Sequence, residues 1–178
     1  VQCGMGRTGK LFAHEWVEGA QPDILCAAKG IGGGFPFGAC LTTEACAEHM
    51  QPGSHGSTYG GNPLAMAVGN AVWDIIVNED FLAEVRRVSG TLAQGLKSLA
   101  DSHPDKVEGV TGKGLLTGLK MKADPKSLQG LCRENNLLVG VAGANVLRLA
   151  PPLIITDEHV REATGIIDAA LTEWALPA

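Results

Sequence analysis

The chain has no apolar run longer than five residues, so no segment of it can cross a bilayer as a helix. It has no excess of positive charge either. Its 14 Lys+Arg stand against 19 Asp+Glu, a formal net charge of −5, which argues against a dedicated nucleic-acid binder. No charged n-region with an apolar h-region opens the sequence, so no secretory leader is expected. The five cysteines (Cys3, Cys26, Cys40, Cys46, Cys132) are odd in number and form no C-x-x-C pair. That excludes a disulfide scaffold or zinc site and favours a reducing, cytoplasmic compartment. The five histidines (His14, His49, His55, His103, His159) show no ligand spacing, and no metal is expected. Fixed-period repeats, charge runs and low-complexity tracts are missing too, so solenoids and disordered tails drop out. The 178 residues, 45% of them hydrophobic, leave a mildly acidic globular protein of one large domain or two small ones.

Glycine is what the chain has in abundance. There are 24, and 13 of them fall within the first 62 residues. Glycine gathers where backbone must turn with positive φ or approach something closely, so the front third is where chemistry is expected. There Ile24–Ala28 and Ala39–Thr42 read as short strands. The stretch between them, Gly30 to Gly38, is too glycine-rich for a regular element. Cys26 and Cys40 then read as small core residues. Asn62-Pro63 opens a helix whose Leu64, Val68, Val72, Ile75 and Ile76, with alanines on its other faces, predict that it is largely buried. A second helix follows Asn78-Glu79-Asp80. Phe81, Val85, Val88, Leu92, Leu96 and Leu99 form its buried stripe, and Glu84, Arg86, Arg87 and Lys97 its wet face. From His103 the pattern becomes a small α+β unit. Strands are predicted at Leu115–Met121, Leu137–Val141 and Val146–Leu149, with a helix from Asp124-Pro125 to about Asn135. A last helix from Thr156 or Asp157 carries Val160, Ala163, Ile167, Ala170 and Trp174 on one face. Trp73 and Trp174 read as packing. A division into residues 1–77 and 78–178 is expected.

Two motifs in the first loop fail on context. Gly4-Met5-Gly6-Arg7-Thr8-Gly9 matches the dinucleotide fingerprint G-x-G-x-x-G but has no strand before it and no acidic residue correctly placed after a second strand. The same loop with Lys10 matches most of a Walker A motif. Leu11 then stands where Mg²⁺ needs a hydroxyl, so nucleotide hydrolysis is rejected.

Lys29 is different. It follows the apolar Ile24–Ala28 and precedes the glycine loop, a place where its charge would be poorly solvated and its pKa lowered. A neutral amine there is the nucleophile of Schiff-base chemistry with carbonyl compounds, pyridoxal phosphate included. A lysine simply emerging into water at a strand end is the plainer alternative. A second cluster, Gly53-Ser54-His55-Gly56-Ser57-Thr58-Tyr59-Gly60-Gly61-Asn62, sets hydroxyls and bare amides before a helix N-terminus, as a phosphate site requires. An ordinary capped connection would look similar. A carbonyl ligand and a phosphate converge on one cofactor.

Three stretches then carry a specific resemblance: Val1-Gln2-Cys3-Gly4 through Ala13, Pro22-Asp23 through Lys29 to Pro36, and Gly53 through Pro63. In content and order they resemble the class III pyridoxal-phosphate-dependent aminotransferases, and among these the acetylornithine/succinylornithine group. The resemblance runs from residue 1 to the last helix. It implies an α/β fold of fold-type I: the C-terminal part of the large domain followed by the small α+β C-terminal domain. It implies that Lys29 carries pyridoxal 5′-phosphate as a Schiff base and shuttles the substrate proton. Gln2 matches the glutamine beside the cofactor's phenolic oxygen. Thr58, with Ser57 beside it, matches the hydroxyl reaching the phosphate held by the neighbouring subunit, which implies a homodimer with shared sites. Arg148, in Val146-Leu147-Arg148-Leu149-Ala150-Pro151-Pro152, matches the arginine that pairs with a substrate carboxylate; without the family it reads equally well as a solvent-facing strand residue. The implied reaction moves an amino group from an ornithine-type ω-amine, N-acetylornithine foremost, to 2-oxoglutarate in arginine biosynthesis.

The resemblance also implies an Asp-Glu before Val1, the Asp pairing with the pyridinium nitrogen, and a larger N-terminal portion with a phosphate cradle and a stacking aromatic. About half of a full-length subunit is therefore expected to lie outside this sequence. The competing expectation is a non-catalytic fragment, or a dimerisation or interaction module.

Overall fold

In the computed structural model, which describes residues 1–176, the first regular elements are the two antiparallel strands β1 (Ile24–Ala28) and β2 (Gly38–Thr42). A one-turn helix α1 (Glu44–Ala47) follows, then α2 (Pro63–Ile76) and the long α3 (Glu79–Ser102). The remaining elements are β3 (Val107–Lys113), β4 (Leu116–Met121), α4 (Lys126–Glu134), β5 (Gly140–Ala142), β6 (Val146–Leu149) and α5 (Asp157–Glu173). Internal contacts divide the chain into two units, Val1–Ala83 and a second that begins at Glu84, the division falling within α3. No helix among the described residues is long and apolar enough to cross a membrane.

In the first unit, α2 starts where Asn62 predicts. Its side chain accepts from Ala65 N–H at 2.9 Å, and Pro63 needs no acceptor. The expected burial of α2 does not hold: only Ala65 and Ile76 are buried, while Leu64 is 62% and Ile75 57% exposed. Apolar spacing marks a face that calls for cover; nothing among the described residues covers this one. The glycine loop also departs from expectation, since Lys29–Gly32 forms a 3₁₀ turn. Phe37 fixes it. A Cβ on Gly32 would stand 3.2 Å from the Phe37 ring, and one on Gly69 of α2 would stand 2.6 Å from it. Missing side chains on both sides let one aromatic seat the loop against the helix.

In the second unit, β3, β4, β6 and β5 form one antiparallel sheet in that order. β3 carries no strand signal of its own, because Val-Glu-Gly-Val-Thr-Gly-Lys has too few apolar residues; its pairing with β4 creates it. β5 begins three residues later than expected. The core joins Val85, Val88, Leu92 and Leu96 of α3 to Leu119 and Leu147 of the sheet, Leu128 of α4, and Ile167 and Leu171 of α5, all buried. Trp174 ties the end of α5 to the start of α4 by donating to Ser127 Oγ at 2.8 Å. Gly95 allows α3 its close approach to Thr164 on α5, where a Cβ would find Cγ2 at 2.9 Å.

Candidate active site

Lys29 follows β1 directly and is the first residue of the 3₁₀ turn, with φ +53° after an extended Ala28. Among the described non-glycine residues only Met5, Lys29, Asn136 and Asn145 take positive φ. Asparagine does so readily, whereas each of the other two gives up about 1–2 kcal/mol. The two strained residues belong to one place. A Cβ on Gly30 would lie 3.1 Å from Met5 Cβ, and Met5 is itself buried. The loop that begins with Gln2 therefore packs onto the Lys29 turn. Sequence reasoning missed Met5; its position inside the rejected dinucleotide motif was the only signal. That motif is followed by a 3₁₀ turn, Ala13–Trp16, rather than the helix a dinucleotide site needs.

The environment of Lys29 corrects one expectation. Its side chain is exposed, and β1 is itself half open, with Ile24 58% exposed. A two-stranded ribbon offers no covering layer, so the poor solvation expected of this amine is not provided by the described residues. Cys26 and Cys40 are likewise exposed rather than core. A cleft of about 250 Å³ runs along β1, between Cys3–Met5, Phe12–His14 and Leu25–Ala28. Gln2 is exposed at one end of this segment.

Ser57 and Thr58 lie in the exposed loop before α2, which turns at Gly53 (φ +85°) and Gly61 (φ +70°). The helix start has less to offer an anion than the sequence implies. Asn62 N–H donates to Tyr59 O, Ala65 N–H to the Asn62 side chain, Met66 N–H to Asn62 O, and Pro63 has no N–H. The Leu64 N–H and the Ser57 and Thr58 hydroxyls are left there as donors. α2 packs against the Lys29–Gly32 turn, so one helix supports the turn and is led into by the hydroxyl loop.

Arg148 belongs to the second unit. On β6 it pairs in register with Gly118 of β4 on one side and Gly140 of β5 on the other. Its guanidinium lies over Gly140, where a Cβ would meet Nε and Nη2 at 3.3 Å. It lines a groove of about 620 Å³ with Leu137, Val139, Pro151, Ile155 and His159. Glu162 lines the same groove, yet no ion pair joins it or any other described carboxylate to Arg148. An arginine without a partner in an apolar groove is suited to a planar carboxylate ligand. Elsewhere an arginine does take carboxylate partners: Arg87 holds Glu84 and Asp157 below the usual carboxylate range by hydrogen bonding. Among the described residues no cluster of His, Cys, Asp or Glu could hold a metal.

Comparison with known proteins gives consistent matches. The family aminotransferase class-III matches residues 1–171. Acetylornithine aminotransferase of Mesorhizobium japonicum is 53% identical over 169 residues, which are 95% of this chain and 42% of that protein. Among solved structures, acetylornithine aminotransferase from Elizabethkingia anophelis matches with a TM-score of 0.88 at 36% identity, covering 98% of this chain and 44% of that one. Ornithine aminotransferase from Plasmodium yoelii matches with a TM-score of 0.88 at 33% identity, covering 97% and 46%. The chain thus spans less than half the length of each of these relatives.

Proposed function

Because the chain belongs to the class-III aminotransferase family, we propose that it supplies the lysine-bearing part of a pyridoxal-phosphate-dependent transaminase. Its fold is that of a fold-type I transferase, the C-terminal part of the large domain and the small α+β domain. The reaction we assign moves an amino group from an ornithine-type ω-amine, N-acetylornithine foremost, to 2-oxoglutarate, within arginine biosynthesis in the cytoplasm. The observation that carries it is Lys29: an exposed primary amine held in a strained left-handed conformation between a strand and a glycine turn.

The residues present suit the cofactor. When bound, pyridoxal phosphate supplies an aldehyde for the amino group and an electron sink for the carbon bearing it. Lys29 Nζ would hold that aldehyde carbon and move the proton at the substrate's amine-bearing carbon. Gln2 would hydrogen-bond at the phenolic oxygen. Ser57 and Thr58 would donate to the phosphate of the partner subunit in a homodimer. Arg148 would grip a substrate carboxylate through its planar fork. A second reading, a dimerisation module without catalysis, draws on the exposed apolar face of α2, where Leu64 and Ile75 stand open.

Borohydride reduction of the cofactor-treated protein separates the two readings. A pyridoxyl adduct on Lys29, found by peptide mapping, is expected. Adducts spread over Lys10, Lys97 and other lysines would leave Lys29 without its role and favour the second reading.

Thr58→Ala tests the shared site. A hydrogen bond to a charged group is worth roughly 1.5–3 kcal/mol, so cofactor affinity in the assembled dimer should weaken by about one to two powers of ten, with subunit stability little changed. At a cofactor concentration too low to fill Thr58→Ala dimers, mixing them with Lys29→Ala subunits should restore activity, because one site of each heterodimer escapes both lesions. Heterodimers without activity would place Thr58 in its own subunit's site.

A further inference from the structure

Met5 and Lys29 share a left-handed backbone for different reasons. Lys29 makes the corner between an extended Ala28 and the 3₁₀ turn. Met5 stands between Gly4 and Gly6, in a loop that Gly6 (φ +81°) and Gly9 (φ +94°) already turn. A third glycine at position 5 would hold φ +57° without strain, so the backbone gives no reason for a methionine there. The side chain gives one. Met5 is only 3% exposed, buried by residues of this chain. A methyl on Gly30 would meet Met5 Cβ at 3.1 Å and Cγ at 3.6 Å, so the methionine lies flush against the residue that adjoins Lys29. Gly30 does not itself take a positive φ. The Met5 contact, and no demand of its backbone, is what leaves little room for a side chain at position 30. Farther along, α2 holds the same turn, where a Cβ on Gly33 would stand 3.0 Å from Val72 Cγ2. A strained residue persists only where its surroundings over-determine it, and Met5 is the support placed next to Lys29.

We propose that Met5 is a positioning residue for Lys29: wedged beneath Gly30, its side chain keeps the Lys29–Gly30 peptide in the left-handed turn and so fixes where the amine leaves the strand. The role rests on the reading of Lys29 as the lysine that holds the cofactor. Met5 acts through Gly30 rather than on the reacting atoms. It also lies three residues after Gln2, so the same wedge sets the Gln2 segment against the lysine. The groups assigned to the aldehyde carbon and to the phenolic oxygen are thereby held to one spacing, as adjacent substituents of a single ring require. Misplacing a reacting group by about 1 Å can cost on the order of 10²-fold in rate. Arg148 belongs to the other unit and does not depend on this contact. A loosened wedge should therefore show in the chemistry of Lys29 and not in the hold on a substrate carboxylate.

The test strips the assembled enzyme of cofactor, adds pyridoxal phosphate and follows Schiff-base formation by absorbance. Steady-state kinetics and chemical denaturation accompany it, the latter to express every rate per folded molecule. Met5→Gly, which removes the wedge together with its strain, should slow both Schiff-base formation on Lys29 and kcat by roughly 10–10²-fold. KM for the amino donor should change little. Met5→Leu, close to methionine in volume, should recover most of the loss. Gly30→Ala should slow the same step from the other side of the contact. In the double variant the vacated Met5 Cβ makes room for the new methyl, so its loss should fall clearly short of the product of the two single losses. A parent enzyme trapped by borohydride at lysines other than Lys29 would overturn the reading of Lys29, and this role with it. With the parent adduct on Lys29, parental rates in Met5→Gly would overturn the positioning role alone and leave Met5 a packing residue. Independent losses in the double variant would do the same. If Met5→Gly does not fold, Gly30→Ala decides: parental Schiff-base formation overturns the role, and a slowed one at the parent's denaturation midpoint supports it.

Discussion

Lys29→Ala is expected to cut transamination by the assembled, cofactor-loaded enzyme by at least about 10³-fold, because positioned proton transfer alone contributes roughly 10²–10⁴. Folding should be little affected. Lys29 is exposed, so no packing is lost, and alanine at φ +53° carries the same left-handed strain. The denaturation midpoint therefore serves as the internal control. A free alkylamine in the buffer should restore a small part of the rate, since it can move protons but not from a fixed position. Effective molarities for well-placed groups reach about 10⁵–10⁸ M, so rescue at molar amine must stay far below the parent rate. Turnover within tenfold of the parent would remove Lys29 from the chemistry altogether.

What the sequence discloses here is governed by which interactions are local. The α3 stripe from Val85 to Leu99 is legible because a 3.6-residue period needs no partner to be recognised, and those residues are buried as the period requires. The cap at Asn62 is legible for the same reason: its hydrogen bond closes within three residues. β3 is not, since Val107–Lys113 becomes a strand only through β4 beside it. Among the described residues, burial departs from the sequence pattern at Lys29, Cys26, Cys40 and along α2. In each case apolar neighbours report a preference for cover, while cover itself comes from distant chain. The candidate site divides along the same line. Lys29 and the hydroxyl loop stand out by composition, whereas the Met5 contact beneath Gly30 and the glycines flanking Arg148 emerge only from the packing.

Those glycines make the second large effect. Gly118→Ala should destabilise the second unit by about 3 kcal/mol or more, at or beyond the upper end of ordinary overpacking costs. The added methyl would collide with the Leu147 carbonyl and stand 2.9 Å from Val146 Cγ1 and 3.2 Å from Arg148 Cα. A side chain can turn aside; a strand backbone cannot move without breaking its rungs, and β6 is hydrogen-bonded to both β4 and β5. Adding Val146→Ala should therefore recover only the side-chain share of the loss. Gly130→Ala and Gly165→Ala supply the opposite sign. Both lie inside helices with open space where a Cβ would stand, so each should gain about 0.5–1 kcal/mol from helix propensity alone. Chemical denaturation of the four variants reads all these differences on one scale. A Gly118→Ala protein as stable as the parent would show that β4 and β6 are not packed as described. Where folding survives, the same substitution should weaken carboxylate binding, because the strand it displaces is the one that holds Arg148 over Gly140.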